Sequence, residues 1–346
     1  MILDKFIGVF SNDMAIDLGT ANTIVSVKGK GIIINEPSVV AVQRDRQGKD
    51  KILAVGQEAK RMLGKTPINI QAVRPMQDGV IADFEMTERM IRYFIEKAHS
   101  RKSFIRPRVI ICIPYGITQV ERKAVEESAL SAGAREVFLV EEPMAAAIGA
   151  GIPVSDPEGH VVVDIGGGTT EIGVTSLGGL VLCKSVKVGG DKIDRSIIEY
   201  VRQNYNLFIG ERTAETVKIE VGAAIKLDPE LKIQIKGKDH SGYLSTIELG
   251  SEGIRIAIKE PLKEIASAIR RVLENMPPDL AGDVVDNGII ITGGGALIRG
   301  LDKYLTEIVK IPVRIADEPL LSVAYGTSQV LDEPGLLKII EDMKNS

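Results

Sequence analysis

A chain of 346 residues, 44% of them apolar, is too long for one ordinary core and comfortable for two domains. The formal net charge of -4 and the lack of a long basic run exclude nucleic acid as the main partner, because phosphate-backbone binding needs a cationic stripe. Cys112 and Cys183, both in β-like apolar runs, read as buried free thiols of a reducing compartment, the three histidines lack metal-ligand spacing, and no apolar run approaches the ~20 residues of a spanning helix.

The chain opens on MILDKFIGVF, which lacks the cationic start and small-residue cleavage site of a signal peptide. Wound as a helix, it puts Ile2, Leu3, Phe6, Ile7, Val9 and Phe10 on one face, with Asp4, Gly8 and Ser11 opposite. Such a segment lies in a membrane surface or packs on the protein's own body, and the residues alone leave both open. Strands follow at 14 to 18 (MAIDL), 23 to 28 (TIVSVK) and 31 to 34 (GIII), with glycine turns between them. Residues 87 to 98 have a helical apolar stripe beginning at Thr87. A second helix over 118 to 132 opens on the capping box Thr118-x-x-Glu121 and stops at Gly133. Strands at 108 to 113 and 136 to 140 complete a mixed α/β half.

The stretch VVVDIGGGTTEIGV (161 to 174) reads as strand, tight turn and strand. Residues 229 to 258 alternate apolar and polar side chains and predict a small β-rich insertion. An amphipathic helix over 259 to 275 ends before Pro277-Pro278, and GIIITGGG (288 to 295) is a third strand running into a glycine turn. DLGTANTIVSVKGKG, from Asp17, and DIGGGTTEIGVTSLG, from Asp164, share an Asp, an aliphatic residue and a Gly. Both carry a Thr six residues after the Asp (Thr23, Thr170) and branched aliphatics eight and ten after it. The copies lie 147 residues apart, which implies one fold used twice.

A turn of small residues lets backbone N–H groups form a nest for an anion, and Thr20 and Thr169 add hydroxyls. Carboxylates suit bare phosphates badly. Asp17 and Asp164 make sense if a hard cation lies between, and Mg²⁺ keeps most of its waters and takes one or two carboxylates. The pattern therefore fits a grip on a Mg-nucleotide; the bland alternative is that the glycines only permit tight hairpins. It is neither the P-loop nor the dinucleotide fingerprint, since no GxxxxGK[ST] occurs and strands follow the first two glycine turns.

These motifs resemble the superfamily of actin, sugar-kinase and heat-shock-chaperone ATPases, and within it the bacterial actins of the MreB family. The resemblance runs from NDMAIDLGTANT (12 to 23) to GTSQVL (326 to 331) and includes NEPSVVAV, AVRPMQDGVIADF, EEPMAAAIGAG, GERTAETVKIEVG and GIIITGGGALIRGLD. It implies an α/β actin-like ATPase fold: two duplicated ribonuclease-H-like halves, each with a smaller subdomain, and nucleotide in the central cleft. The expected bounds are a membrane-binding segment over 1–11, a first half over 12–150 with an insertion at about 35–75, a second half over 151–330 with an insertion at about 190–256, and a C-terminal helix and tail over 331–346.

The resemblance also implies roles. Asp17, Gly19, Thr20, Ala21 and Asn22 form the first phosphate loop, and Asp164, Gly166, Gly167, Gly168 and Thr169 the second. Asp17 and Asp164 hold Mg²⁺ through water. Glu215 and Lys218 hold the nucleoside of ATP or ADP, and Gly294, Gly295, Ala296 and Leu297 line the adenine pocket. Glu142 orients the attacking water, with Thr169 beside it; from residues alone Glu142 reads first as an N-cap or first-turn acid of a helix, and both roles can coexist. In RKSFIRPR (101 to 108), Phe104 and Ile105 stand among cations, which suits an anionic membrane or a pair of buried anchors. The matching family loop inserts in the membrane, beside an N-terminal amphipathic segment in some members.

The function expected is a slow, polymerisation-coupled ATPase that forms homopolymer filaments on the inner face of the cytoplasmic membrane. In walled bacteria this family positions the wall-elongation machinery and sets cell shape; in wall-less ones the filaments act on the membrane for shape or motility. A small-molecule kinase on the same fold would need an acceptor-activating base, and Glu142 is the one candidate. A chaperone ATPase would carry a further domain after the ATPase pair, and a division protein of the FtsA kind would carry its membrane helix at the C-terminus.

Overall fold

The repeated Asp-aliphatic-Gly motif occupies the same position in two sheets of one design. The computed structural model describes residues 13–44, 50–67, 69–77, 79–99 and 106–345. The N-terminal segment with Ile2, Leu3, Phe6, Ile7 and Phe10, and the loop tip Phe104 and Ile105, lie outside these residues. The chain divides into two units, 1–155 with 321–346, and 156–320.

In the first unit, β1 (Met14–Leu18), β2 (Asn22–Val27) and β3 (Gly31–Pro37) form an antiparallel meander. A small sheet of β4 (Val40–Arg44), β5 (Asp50–Val55) and, after α1 (Gln57–Met62), β6 (Ile70–Val73) comes next. A two-stranded ribbon of β7 (Met76–Gln77) and β8 (Val80–Ile81) leads to α2 (Phe84–Ala98). That helix starts earlier than its apolar stripe predicts. Asp83 caps it by accepting from Met86 N at 3.0 Å, and Thr87 falls inside the first turn. Then come β9 (Arg108–Ile113), α3 (Gln119–Ser131), β10 (Glu136–Glu141) and α4 (Glu142–Gly149). The Thr118–Glu121 capping box is present in full, because each side chain satisfies the other's backbone N–H. The large sheet has the order β10-β9-β1-β2-β3, and Met14, Ile16, Phe94 and Ile111 are fully buried in its core.

The second unit repeats the plan. β11 (His160–Ile165), β12 (Thr170–Ser176) and β13 (Gly179–Val186) form the meander. α5 (Gly190–Tyr205), β14 (Leu207–Phe208), α6 (Glu211–Val221), β15 (Lys232–Asp239) and β16 (Leu244–Gly250) follow. Next are α7 (Ser251–Ala257), α8 (Lys259–Glu274), α9 (Pro278–Asn287), β17 (Ile289–Thr292), a 3₁₀ turn (Gly294–Leu297), α10 (Leu301–Val309) and β18 (Val313–Ile315). The sheet order β18-β17-β11-β12-β13 matches the first unit strand for strand, parallel and antiparallel pairs included. Residues 251–257 are helical rather than part of the expected β-rich stretch. Ile254 and Ile258, four apart, are buried and continue the apolar face of α8, while Ile256 is 55% exposed.

The chain then returns to the first unit through α11 (Ser322–Asp332) and α12 (Pro334–Asn345). Residues 321–330 were expected in the second half, and packing assigns them to the first. A Cβ on Gly149 would overlap the Ser322 carbonyl, and one on Gly326 would overlap that of Ala145. With no side chain at either crossing point, α4 and α11 touch backbone to backbone. Cys112 is buried as expected, whereas Cys183, on β13, is only half-buried.

Candidate functional site

In each unit the motif aspartate stands at the carboxyl end of a parallel strand pair, where open α/β sheets bind ligands. Asp17 is in register with Cys112 of β9, and Asp164 with Thr292 of β17. In the second unit, Gly166 N donates to Thr169 O at 2.9 Å and closes the hairpin. Its tip rests on the start of α5: Gly190 N donates to Gly166 O at 3.0 Å, and Asp191 N to Gly167 O at 2.8 Å. In a trans peptide the C=O and the following N–H point opposite ways. Anchoring these two carbonyls therefore turns the N–H groups of Gly167 and Gly168 outward, which makes the nest. Gly189 permits this approach, since a Cβ there would stand 2.6 Å from both carbonyl oxygens.

Under the hairpin lies a charged support. Lys218 Nζ, on α6, donates to Gly190 O at 3.2 Å and to Asp194 Oδ2 at 2.9 Å. Burial pushes the Asp194 carboxyl up to about 6 against the opposing pull of Lys218, with Glu215 and Asp191 adding repulsion. Lys218 is expected at the nucleoside, and its Nζ also braces the helix that carries the hairpin. Asp164 is buried, its Oδ1 has no hydrogen-bond partner among the described residues, and desolvation raises its pKa to about 6. The third glycine turn closes over it. Gly293 has φ 77°, and a Cβ there would stand 2.5 Å from Asp164 Oδ1. Of the residues expected to line an adenine pocket, Gly294 and Leu297 are exposed, while Gly295 and Ala296 are buried, Ala296 in the core.

The first unit builds its hairpin tip differently. Ser38 Oγ donates to Gly19 O at 2.6 Å, and Ser38 N to Ala21 O at 3.0 Å. The first bond turns the Thr20 N–H outward. Ala21 and Asn22 are exposed, and Thr20 and Asp17 half-buried. Glu142 follows β10 and is 8% exposed in the first turn of α4, where the helix dipole favours an acid, and that place is compatible with a second role. Cys112 pairs with both Asp17 and Val140. Glu142 therefore leaves the same sheet edge as Asp17, two strand spacings or about 10 Å away. Arg122 holds the neighbouring Glu141 at 2.9 Å.

Ser38, Gly189, Gly190 and Asp194 were missed by motif reading. Ser38 directly follows β3 and the two glycines lie just past β13, a weak turn signal, whereas Asp194 sits inside α5 and carries no local signal. Among the described residues no three or more His, Cys, Asp or Glu gather to hold a metal, and no helix is long and apolar enough to cross a membrane. A lone buried carboxylate oxygen beside a glycine nest fits a cation that keeps its waters and rides on phosphates.

The family model for MreB/Mbl protein matches residues 11–339. The chain is 55% identical over 335 residues to the cell shape-determining protein MreB of Escherichia coli strain K12, covering 96% of each chain. The crystal structure of MreB 5 of Spiroplasma citri bound to AMPPNP is similar with a TM-score of 0.88 at 39% identity, covering 95% of this chain and 98% of that one. The same protein bound to ADP matches with a TM-score of 0.88 at 38% identity, covering 96% and 98%. The MamK double helical filament, 22% identical with a TM-score of 0.78 over 93% of this chain and 99% of that one, shares the fold.

Proposed function

The chain belongs to the MreB/Mbl family of cell shape-determining, actin-like proteins, and from that premise we propose that it is a slow ATPase that polymerises on a membrane. The observation that carries nucleotide binding is Asp164: a buried carboxylate with a free oxygen, next to outward-turned N–H groups and a third glycine turn. The AMPPNP and ADP complexes of the Spiroplasma relative support the same reading.

In this reading the N–H groups of Thr20, Gly167 and Gly168 donate to phosphate oxygens. Asp17 and Asp164 accept from waters of a Mg²⁺ ion, which when bound would neutralise the phosphate charge. Thr169 and Glu142 aim the attacking water, and Glu142 takes its proton. Glu215 and Lys218 secure the nucleoside, and Gly294 and Leu297 offer surface to the base. Replacing Glu142 by Gln keeps the shape and removes the base. Glu142→Gln should bind ATP normally and hydrolyse it at least ~100-fold more slowly, read as single-turnover phosphate release.

Filament formation and membrane attachment are part of the same proposal. Phe104, Ile105 and the apolar face Ile2, Leu3, Phe6, Ile7 and Phe10 are the membrane contacts, each weak alone and firm when many copies line one filament. In a walled host the filament would position the wall-elongation machinery. The test is sedimentation with and without anionic liposomes, in ATP, ADP or neither, with pellets viewed by electron microscopy. Wild type should pellet as ATP-sensitive filaments with the lipid, and a Phe104→Ala/Ile105→Ala variant should lose the lipid. Phosphorylation of a small-molecule acceptor without polymer would replace this reading with a kinase.

A further inference from the structure

The repeat places a threonine six residues after each aspartate, and nucleotide binding leaves both unexplained. Thr23 and Thr170 are each fully buried, and a buried hydroxyl needs a partner. Thr170 Oγ1 donates to Val188 O at 2.6 Å, one residue before the Gly189 contact that seats the second hairpin. Thr23 Oγ1 lies 2.9 Å from Ser38 Oγ, which is also fully buried. Ser38 Oγ has one proton and gives it to Gly19 O. Thr23 must therefore be the donor in the Thr–Ser bond. Protons run in one direction, from Thr23 to Ser38 to Gly19.

We propose that Thr23 and Ser38 form a hydroxyl relay that holds the first hairpin in its anion-binding shape and ties its occupancy to the small sheet β4–β5–β6. Ser38 stands between Pro37, the last residue of β3, and β4, which starts at Val40. Val39 O accepts from Gly56 N at 2.9 Å, and Val39, Ala41, Ala54 and Ala59 form the small sheet's own core. One residue thus clasps two carbonyls of the hairpin tip and begins the link into another sheet. A shift of the Gly19 carbonyl on phosphate binding pulls Ser38 and, through Val39, the first pairing of β4. Both are positioning residues. The inference rests on the Mg-nucleotide reading, because without a phosphate in the hairpin the relay has nothing to report.

The test uses the full chain and its Ser38→Ala and Thr23→Val variants. Affinity for Mg-ATP and Mg-ADP is measured by calorimetry, and amide exchange in residues 38–43 with and without saturating Mg-ATP. Ser38→Ala should weaken Mg-ATP binding about tenfold and Thr23→Val about threefold, the loss of one hydrogen bond in each case. Saturating Mg-ATP should slow exchange in β4 of wild type and leave it unchanged in Ser38→Ala. A merely structural loss would alter β4 exchange equally in both states. If Ser38→Ala fails to fold, Thr23→Val decides, because it keeps the shape at that site. Wild-type affinity and wild-type β4 response in the variants would overturn the relay alone. Wild type that binds neither nucleotide would overturn the Mg-nucleotide reading, and the relay with it.

Discussion

The two aspartate hairpins descend from one motif, yet they are held by different chemistry. The hairpin after Asp17 hangs on neutral hydroxyl and backbone donors from Ser38, itself oriented by Thr23. The hairpin after Asp164 rests on a helix N-terminus whose first carbonyl is gripped by Lys218, half-buried and paired with buried Asp194. A neutral brace is indifferent to pH and salt. A charged one stores electrostatic free energy at the site, in Asp194 and in the unpartnered oxygen of Asp164. Duplication preserved the loop shape while each copy found its own support.

The comparison breaks most sharply at Lys218. Lys218→Met leaves Asp194 buried without its cation; because Lys218 is half-buried and Asp194 can take up a proton, the loss should fall at the low end of the buried-pair range, about 3 kcal/mol. Thermal or urea unfolding should show that loss. Lys218→Met with Asp194→Asn should recover much of it, because no charge is then stranded. The first hairpin, whose tip carbonyls are held by Ser38, should keep its amide protection in both variants.

Asp164→Asn should act in the opposite direction. The folded-state pKa of about 6 lies above the unaltered 3.8, so the folded protein binds more protons between those values. Stability without nucleotide therefore falls as pH rises from about 4 to about 6 and levels off above. Asp194, raised to about 6 as well, adds to the same fall. Removing the Asp164 charge should raise stability at neutral pH by up to about 3 kcal/mol and flatten part of the curve. The same variant should lose Mg-dependent nucleotide binding, so that stability and binding move apart. Stability unchanged between pH 4 and 8 in wild type would refute the charged-support account.

Gly189→Ala carries the smallest effect of the three. A Cβ there meets two carbonyl oxygens at 2.6 Å, and overpacking of this kind costs about 1–3 kcal/mol. Displacing those carbonyls should also turn the outward N–H groups away from phosphate. A loss of nucleotide binding larger than this modest drop in stability accounts for would show that the glycine serves loop orientation.

Local signals in the sequence were legible where they were dense. The Thr118–Glu121 box, the strands around both aspartates and the duplication itself all appear where periodicity and turn residues place them. Elsewhere one pattern serves two structures. Ile254, Ile256 and Ile258 alternate like a strand, but burial of only the first and last makes a helix. The start of α2 was misplaced because Asp83 lies outside the apolar stripe that marks the helix.

By itself the sequence determined two α/β halves with matching glycine hairpins, since hydrophobic period and turn chemistry are properties of neighbouring residues. Only tertiary structure decided what makes those hairpins work. Ser38 reaches Gly19 across 19 residues, Lys218 reaches Gly190 across 28, and Gly149 meets the helix of Gly326 from the far end of the chain. Such contacts leave no periodic trace. They depend on two distant segments packing closely enough for a single missing Cβ, or a single hydroxyl proton, to set the geometry.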